Sequence, residues 1–370
     1  MLESLKEMSI YEAKGSSGAV RARQVPMASP AQIKERLPLS KALALKVEAQ
    51  RQAVKRILHG LDERFLVIVG PCSIHDVDAA LEYAAKLAAL TPQLDDRLLV
   101  VMRCYFEKPR TTTGWKGMLH DPLLNDSHDM LQGIGECRRL LLRITEEFGL
   151  PLATEALSPL AIRYLEDVLS WTAIGARTTE SQIHREMVSG MEVPVGFKNA
   201  TNGNLDVALH AMRSAASPHA FLGISDDGQI ASVHTSGNPD THIVLRGGKC
   251  GEGGNFSNYD DLSIARCEQA HGQMGLAPSI VVDCSHENSG KDHSKQPGVA
   301  LDVIRQRKSG VTSLRGIMLE SFLEEGNQSH QGAALQGLTY GKSITDACLG
   351  WGDTELLLKE IHRILGTVTP

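Results

Sequence analysis

Eight short apolar runs, each followed by a longer polar or amphipathic stretch, place the strongest constraint on this chain. The runs occupy 65–72 (FLVIVGPC), 98–106 (LLVVMRCYF), 151–157 (PLATEAL), 172–178 (TAIGART), 194–200 (PVGFKNA), 241–248 (THIVLRGG), 279–286 (SIVVDCSH) and 316–322 (GIMLESF). Several are continuous hydrophobics rather than in-out alternations, the pattern of strands buried on both faces. Helical patterns fall between them at 78–90, 130–149, 158–169 and 297–310, and one at 353–366 closes the set. Eight strands alternating with helices predict a parallel (β/α)8 TIM barrel, an α/β fold, with a doubly wound open sheet as the second architecture.

At 370 residues the chain has room for a barrel and additions. Residues 1–60 read as an N-terminal arm and helix. The arm, 1–28, is polar and contains Gly15-Ser16-Ser17-Gly18. The helical pattern runs from Ser29-Pro30 to Gly60, with Ser40 capping its main part. The barrel then spans 61–370. Within it, 219–237 reads as two strands around Asp226-Asp227-Gly228, a hairpin inserted between the fifth and sixth barrel strands.

Charge and composition remove several function classes. The net charge of −6 offers no basic excess for nucleic acid. No run of about 20 apolar residues is available to span a membrane. Seven cysteines, an odd number without a CxxC pair, fit a reducing compartment. The first residues lack the basic-then-apolar pattern of a secretion signal, so a cytoplasmic location is expected.

In a barrel the chemistry sits at the C-terminal ends of the strands. Those ends read Cys72, Arg103, Glu155, Arg177, Lys198, Arg246, His286 and Glu320. Four are cations in a chain of negative net charge, a set suited to phosphate and carboxylate oxygens. Pairing of each cation with a nearby acid is the plainer alternative. Thr179 and Gln182 have capping-box spacing, which predicts a helix N-terminus beside Arg177 and hence a phosphate site. Cys72, His286, Glu320 and Asp346 form a mixed thiolate, imidazole and carboxylate set suited to Mn, Fe, Co or Zn. On residue types alone, Cys72 reads equally as a small buried apolar residue. His286 near Asp283 reads equally as a satisfied core histidine. Two glycine-rich stretches, 337–343 and 247–254, have the wrong spacing for phosphate or dinucleotide loops.

These residues lie in longer motifs: VGPCSIHD (69–76), MRCYFEKPRTTTGWKG (102–117), ATEAL (153–157), IGARTTESQ (174–182), VGFKN (195–199), LRGG (245–248), DCSHENSGKDH (283–293), MLESFLEEGNQS (318–329) and YGKSITDACLGW (340–351). Through them the chain, from about residue 10 to 365, resembles the microbial, type I alpha class of 3-deoxy-D-arabino-heptulosonate-7-phosphate (DAHP) synthases. The resemblance implies a metal-dependent barrel that condenses phosphoenolpyruvate with erythrose 4-phosphate as the first step of the shikimate pathway. It implies Cys72, His286, Glu320 and Asp346 as ligands of a divalent metal ion. Phosphoenolpyruvate would be held by Arg103, Lys108, Ala176, Arg177, Lys198 and Arg246. Erythrose 4-phosphate would be held by Lys108, Pro109, Arg110 and Thr111. Lys108, Glu155 and His286 would act in catalysis, Glu155 by holding the attacking water.

The resemblance further implies feedback inhibition by an aromatic amino acid at the arm and inserted hairpin, and a homodimer or homotetramer. Two loops, 249–260 and 330–341, are longer than the usual pattern. The nearest rival reaction uses arabinose 5-phosphate to make 3-deoxy-octulosonate 8-phosphate. The KPRTT stretch and the arm favour the erythrose 4-phosphate reading. A catalytically dead, effector-binding barrel is disfavoured because every ligand and cradle residue is intact.

Overall fold

The structure is a computed structural model that describes residues 11–14, 20–110, 114–251, 254–330 and 335–367. Eight parallel strands close into a barrel: β1 (Phe65–Gly70), β2 (Leu98–Arg103), β3 (Leu152–Glu155), β4 (Trp171–Ile174), β5 (Val195–Lys198), β6 (Thr241–Leu245), β7 (Ile280–Asp283) and β8 (Leu314–Glu320). Each pairs with its sequence neighbour, and β8 pairs with β1 to close the ring, Glu320 opposite Gly70. All eight expected runs are barrel strands. Their burial is nearly continuous, as continuous hydrophobic runs require.

Nine helices are described: α1 (Pro30–Arg36), α2 (Lys41–Leu58), α3 (Val77–Leu90), α4 (Met130–Arg143), α5 (Gln182–Ser189), α6 (Asp206–Ala215), α7 (Asp261–Gln273), α8 (Gln296–Lys308) and α9 (Trp351–Gly366). Ser29 caps α1 in a full capping box with Gln32, and Ser40 caps α2. Gly60 follows α2 with φ +73°, a left-handed turn that releases the chain into β1. The C-terminal half of α2 closes one end of the barrel. Val54, Ile57 and Leu58 join Leu66, Ile68, Val101, Trp171 and Val244 in a single apolar cluster.

Residues 158–169 depart from expectation. They form two short 3-10 turns, Ala161–Tyr164 and Glu166–Val168, instead of a helix. Arginines from other elements take the carbonyls that a helix would use. Arg51 donates to Glu166 O at 2.6 Å and Leu169 O at 2.8 Å, and Arg138 donates to Tyr164 O at 2.9 Å. Arg138 is fully buried and also grips Asp167 with both Nη atoms, at 2.7 and 2.8 Å. Tertiary partners outweigh local propensity here.

The inserted hairpin is present, Ala220–Ile224 against Ile230–His234, with Gly228 at φ +79° in its turn. It follows α6 and precedes β6, as expected. The arm is also paired: Tyr11–Lys14 runs antiparallel to Val20–Gln24. Hairpin tip and arm junction meet where Ala31 N donates to Asp226 O at 2.9 Å. Arg163 holds the Asp226 carboxylate at 2.6 Å.

Candidate active site

The strand ends surround one cavity of about 600 Å³. Seven Lys and Arg side chains line it against four carboxylates, a positive mouth in a chain whose total charge is −6. Of the residues singled out from sequence, Lys108, Pro109, Arg110, Glu155, Ala176, Arg177, Lys198, Arg246, His286, Glu320 and Asp346 all line it. Thr111 lies outside the described residues. Cys72 and Arg103 are fully buried at its floor and do not line it.

Arg103 is locked. Its Nη2 donates to Glu320 Oε1 at 2.8 Å and Nε to Pro71 O at 3.1 Å. Its guanidinium carbon lies 3.6 Å from the Tyr105 ring centroid. The close approach needs Gly70, where a Cβ would sit 2.7 Å from Arg103 O. Arg103 therefore orients Glu320 from below, and Lys108, Lys198 and Arg246 present their charges at the cavity itself.

Cys72, Glu320 and Asp346 converge, their ligand atoms all within 4.8 Å of one another. The Cys72 thiol points to Asp346 Oδ2 at 3.6 Å and accepts from Lys108 Nζ at 2.9 Å. Burial, aided by the Glu320 charge and opposed by Lys108, pushes the thiol up to about 11. Burial works against the Lys108 ammonium, but Cys72 and Glu320 outweigh it and hold Lys108 above its usual range. Asp346 also resists burial, and Lys108 and His286 draw its carboxyl below the ordinary value. Three packed donors with a disfavoured thiolate form a site suited to a cation.

His286 stands outside that trio. Its backbone is left-handed, φ +56°, and its Nδ1 faces Asp283 Oδ2 at 3.0 Å and Ser285 Oγ at 2.7 Å. It lines the same cavity as Asp346 and Glu320. Thus three of the sequence-derived quartet are close-packed, Cys72 beneath the cavity and Glu320 and Asp346 on its lining, and the fourth, His286, lines the cavity held by Asp283.

The cations have acid partners. Lys198 Nζ donates to Asp283 Oδ2 at 2.8 Å, and Arg246 pairs with Glu287. Burial opposes the Asp283 carboxylate, yet Lys198 and His286 hold it well below the usual range. Arg177 is exposed and donates to Pro109 O at 3.2 Å, and Arg110 Nε donates to Trp115 O at 2.8 Å. The expected capping box at Thr179 is absent. Thr179 is buried and its hydroxyl bonds Lys198 O at 2.8 Å, so α5 starts only at Gln182. A barrel carbonyl has claimed the side chain that would have capped the helix. Glu155 lies over Gly175, where a Cβ would stand 2.3 Å from its Oε1.

With this geometry in place, known proteins give the site its context. The sequence profile of the DAHP synthetase I family matches residues 41–359. The chain belongs to that family. It is 50% identical over 337 residues to the Tyr-sensitive phospho-2-dehydro-3-deoxyheptonate aldolase of Escherichia coli K12, covering 91% of this chain and 92% of that one. The Trp-sensitive enzyme of the same organism is 47% identical over 348 residues, covering 94% and 97%. The Phe-sensitive one is 47% identical over 332 residues, covering 90% and 92%. The structure of phospho-2-dehydro-3-deoxyheptonate aldolase from Francisella tularensis SCHU S4 superposes with a TM-score of 0.88 at 40% identity, over 94% of this chain and 98% of that one.

Reading strand ends alone missed Glu287 and gave Asp283 only as a neighbour of His286, yet both carboxylates organise this family member's mouth. Asp283 joins Lys198 to His286, and Glu287 joins Arg246 to Lys249, the latter at 3.8 Å. Gln296 clamps Glu320 through both backbone groups, accepting from its N at 2.8 Å and donating to its O at 3.0 Å. A usable signal existed: Asp283 and Glu287 flank His286 in one short run, opposite cations that need acids. Among the described residues, no helix is long and apolar enough to cross a membrane.

Proposed function

We propose that the chain condenses phosphoenolpyruvate with D-erythrose 4-phosphate and water to give DAHP and inorganic phosphate, the first step of aromatic amino acid biosynthesis. The supporting observation is the close-packed Cys72, Glu320 and Asp346 trio beside a cavity with excess positive charge. Family membership and relatives named for this product agree with it.

Lys198, Arg246 and Arg177 suit the carboxylate and phosphate of phosphoenolpyruvate, with Ala176 at the turn. Arg103 reaches that substrate only through Glu320 and the floor it supports. Lys108, held protonated, serves both substrates, and Pro109, Arg110 and Thr111 would contact the sugar phosphate. The reaction joins carbon 3 of phosphoenolpyruvate to the aldehyde carbon. Water adds at carbon 2, the carbon–oxygen bond to phosphate breaks, and phosphate leaves. Glu155 holds the attacking water. Alignment of both substrates in one cavity replaces a two-body collision.

Cys72, His286, Glu320 and Asp346 would hold a divalent ion of the Mn, Fe, Co or Zn type. Such an ion draws electron density from an aldehyde oxygen. Asp283 fixes the His286 ring so that its other nitrogen is available.

Regulation by an aromatic amino acid fits the arm, residues 1–28, in which 11–14 pair with 20–24, and hairpin 219–237, whose tip touches the start of α1. Relatives carry Tyr-, Trp- and Phe-sensitive names, so each amino acid is a candidate inhibitor. We assign residues 1–60 to this regulatory and assembly extension and 61–370 to the catalytic barrel, in a cytoplasmic homodimer or homotetramer. Of the longer loops 249–260 and 330–341, the first begins at Lys249, which lines the mouth. The decisive assay is phosphate release from phosphoenolpyruvate with erythrose 4-phosphate or arabinose 5-phosphate. Release with erythrose 4-phosphate alone is expected. Preference for arabinose 5-phosphate overturns the reading.

A further inference from the structure

The segment that brings Lys108, Pro109 and Arg110 to the mouth is tied down outside it. Glu107, the residue before Lys108, is buried, and a carboxylate there is costly without donors. Two donors reach it. His120 Nε2 stands 3.0 Å from Oε1, and Ser158 N, just past β3, donates to Oε2 at 3.3 Å. A carboxylate only accepts, so the ring nitrogen is the donor of the first bond. Among the described residues His120 is the one basic partner of Glu107. Its side chain is half-buried and does not line the cavity.

Backbone bonds and one indole complete the fastening. Lys108 N donates to Lys116 O at 2.8 Å and Leu119 N to Phe106 O at 3.2 Å, so the chain leaving β2 and the chain returning toward α4 are laced together. Gly117 lies at this crossing with φ +111°, and a Cβ there would run into Phe106 O. Trp115 is buried and gives its indole N–H to Asp121 O at 2.9 Å, and its own carbonyl takes Arg110 Nε at 2.8 Å. The two cations are therefore held differently. Lys108 reaches the cavity floor, where Nζ meets Cys72 Sγ at 2.9 Å. Among the described residues, the side-chain hydrogen bond of Arg110 stays within its own loop, so its placement follows from how that loop is fastened.

We propose that His120 is a positioning residue for the sugar phosphate: donating to Glu107 from outside the mouth, it fixes the base of the Lys108–Arg110 segment and so sets Arg110 where it meets that phosphate. The inference rests on the assignment of Arg110 to erythrose 4-phosphate, and it adds a residue that touches neither substrate. A pair that only satisfied a buried acid would show in stability and in both Michaelis constants. A positioning pair shows in one of them.

Steady-state kinetics and limited trypsin digestion of the full chain test it. In His120→Ala the KM for erythrose 4-phosphate is expected to rise about tenfold, the loss of one hydrogen bond to a charged group. The kcat and the KM for phosphoenolpyruvate should move less than about twofold. His120→Gln, whose amide can donate to Glu107, should recover most of the loss. Without substrate, trypsin should cut after Arg110 and Lys116 about tenfold faster in His120→Ala than in wild type. The Glu107→Gln/His120→Ala variant removes the stranded charge, and its KM for erythrose 4-phosphate should stay raised because the link is still missing. An unchanged KM for erythrose 4-phosphate or an unchanged cutting rate in His120→Ala overturns the proposal. So does a joint rise of both KM values with a fall in Tm, or a wild-type KM in the double variant. An enzyme inactive with erythrose 4-phosphate would fail the functional reading, and the cutting rates would still decide whether His120 fastens the loop.

Discussion

At the N-terminal end of the barrel, α2 presents Val54, Ile57 and Leu58 to Leu66, Ile68 and Val101, and the burial is apolar. At the C-terminal end the side chains are as deeply buried but charged: Arg103, Lys198, Asp283, Glu287 and Glu320. The first arrangement is what stability favours. The second is what stability alone disfavours, because apolar replacements of buried ion pairs are often neutral or stabilising. The contrast shows where the fold has been held to a chemical task. Substitutions at the two ends should therefore separate activity from stability.

The largest separation is expected from Cys72→Ala. Turnover should fall on the order of 1,000-fold or more, as loss of several kcal/mol of electrostatic assistance implies. Circular dichroism and Tm should change little, since a small buried residue replaces another. Wild-type turnover in this variant would break the comparison at its strongest point. Lys198→Met follows, with kcat/KM lower by about 100- to 1,000-fold. It also removes the lysine partner of buried Asp283, leaving His286 and Ser285, and should cost up to about 3–5 kcal/mol in denaturant unfolding. Mouth residues with buried partners thus cost both quantities, which refines the contrast.

Ile57→Ala should do the reverse. A cavity in the plug costs about 2–5 kcal/mol, with kcat/KM unchanged. Loss of activity without loss of stability there would mean that the plug serves the mouth directly.

The plug end also carries a pH signature. His242 is fully buried, receives the Trp171 indole N–H at 3.2 Å and is pushed down to about 3 by burial and His59. Its native form stays neutral while the unfolded chain takes up a proton below the ordinary value of 6.5. Stability should therefore fall as pH drops from 6.5 toward about 3. The slope is about 1.4 kcal/mol per pH unit for one such group. His242→Gln should flatten this slope in pH-dependent urea unfolding, leaving the parts due to His75, which burial pushes down to about 4, and His271, which burial also lowers. The smallest effect is expected at the exposed hairpin tip. Arg163→Ala breaks the 2.6 Å pair with Asp226 and should cost less than about 1 kcal/mol in the same assay.

The same contrast explains what was legible in the sequence. Strands such as β1 and β7 are continuous apolar runs, so their existence and buried state are written in residue types. The residues at or just past their ends are chemically conspicuous, so Cys72, Lys198, His286 and Glu320 stood out as candidates, although residue type alone left Cys72 and His286 open to a structural reading. Pairings across strands leave no such mark. That Arg103 lies beneath the floor on Glu320, rather than at the cavity, depends on a 217-residue separation. Thr179 and residues 158–169 failed for a related reason: distant partners, the Lys198 carbonyl and the Arg51 and Arg138 guanidiniums, took the groups that local structure would have used.

The central claim is that Cys72, with His286, Glu320 and Asp346, binds one divalent ion beside the cationic cradle. Cobalt(II) titration of metal-stripped protein, followed by absorption spectroscopy, tests it most directly. The account predicts a thiolate-to-cobalt charge-transfer band that saturates at one ion per chain and is missing from Cys72→Ala. Stoichiometric cobalt binding without that band, or a band that survives in Cys72→Ala, would contradict it.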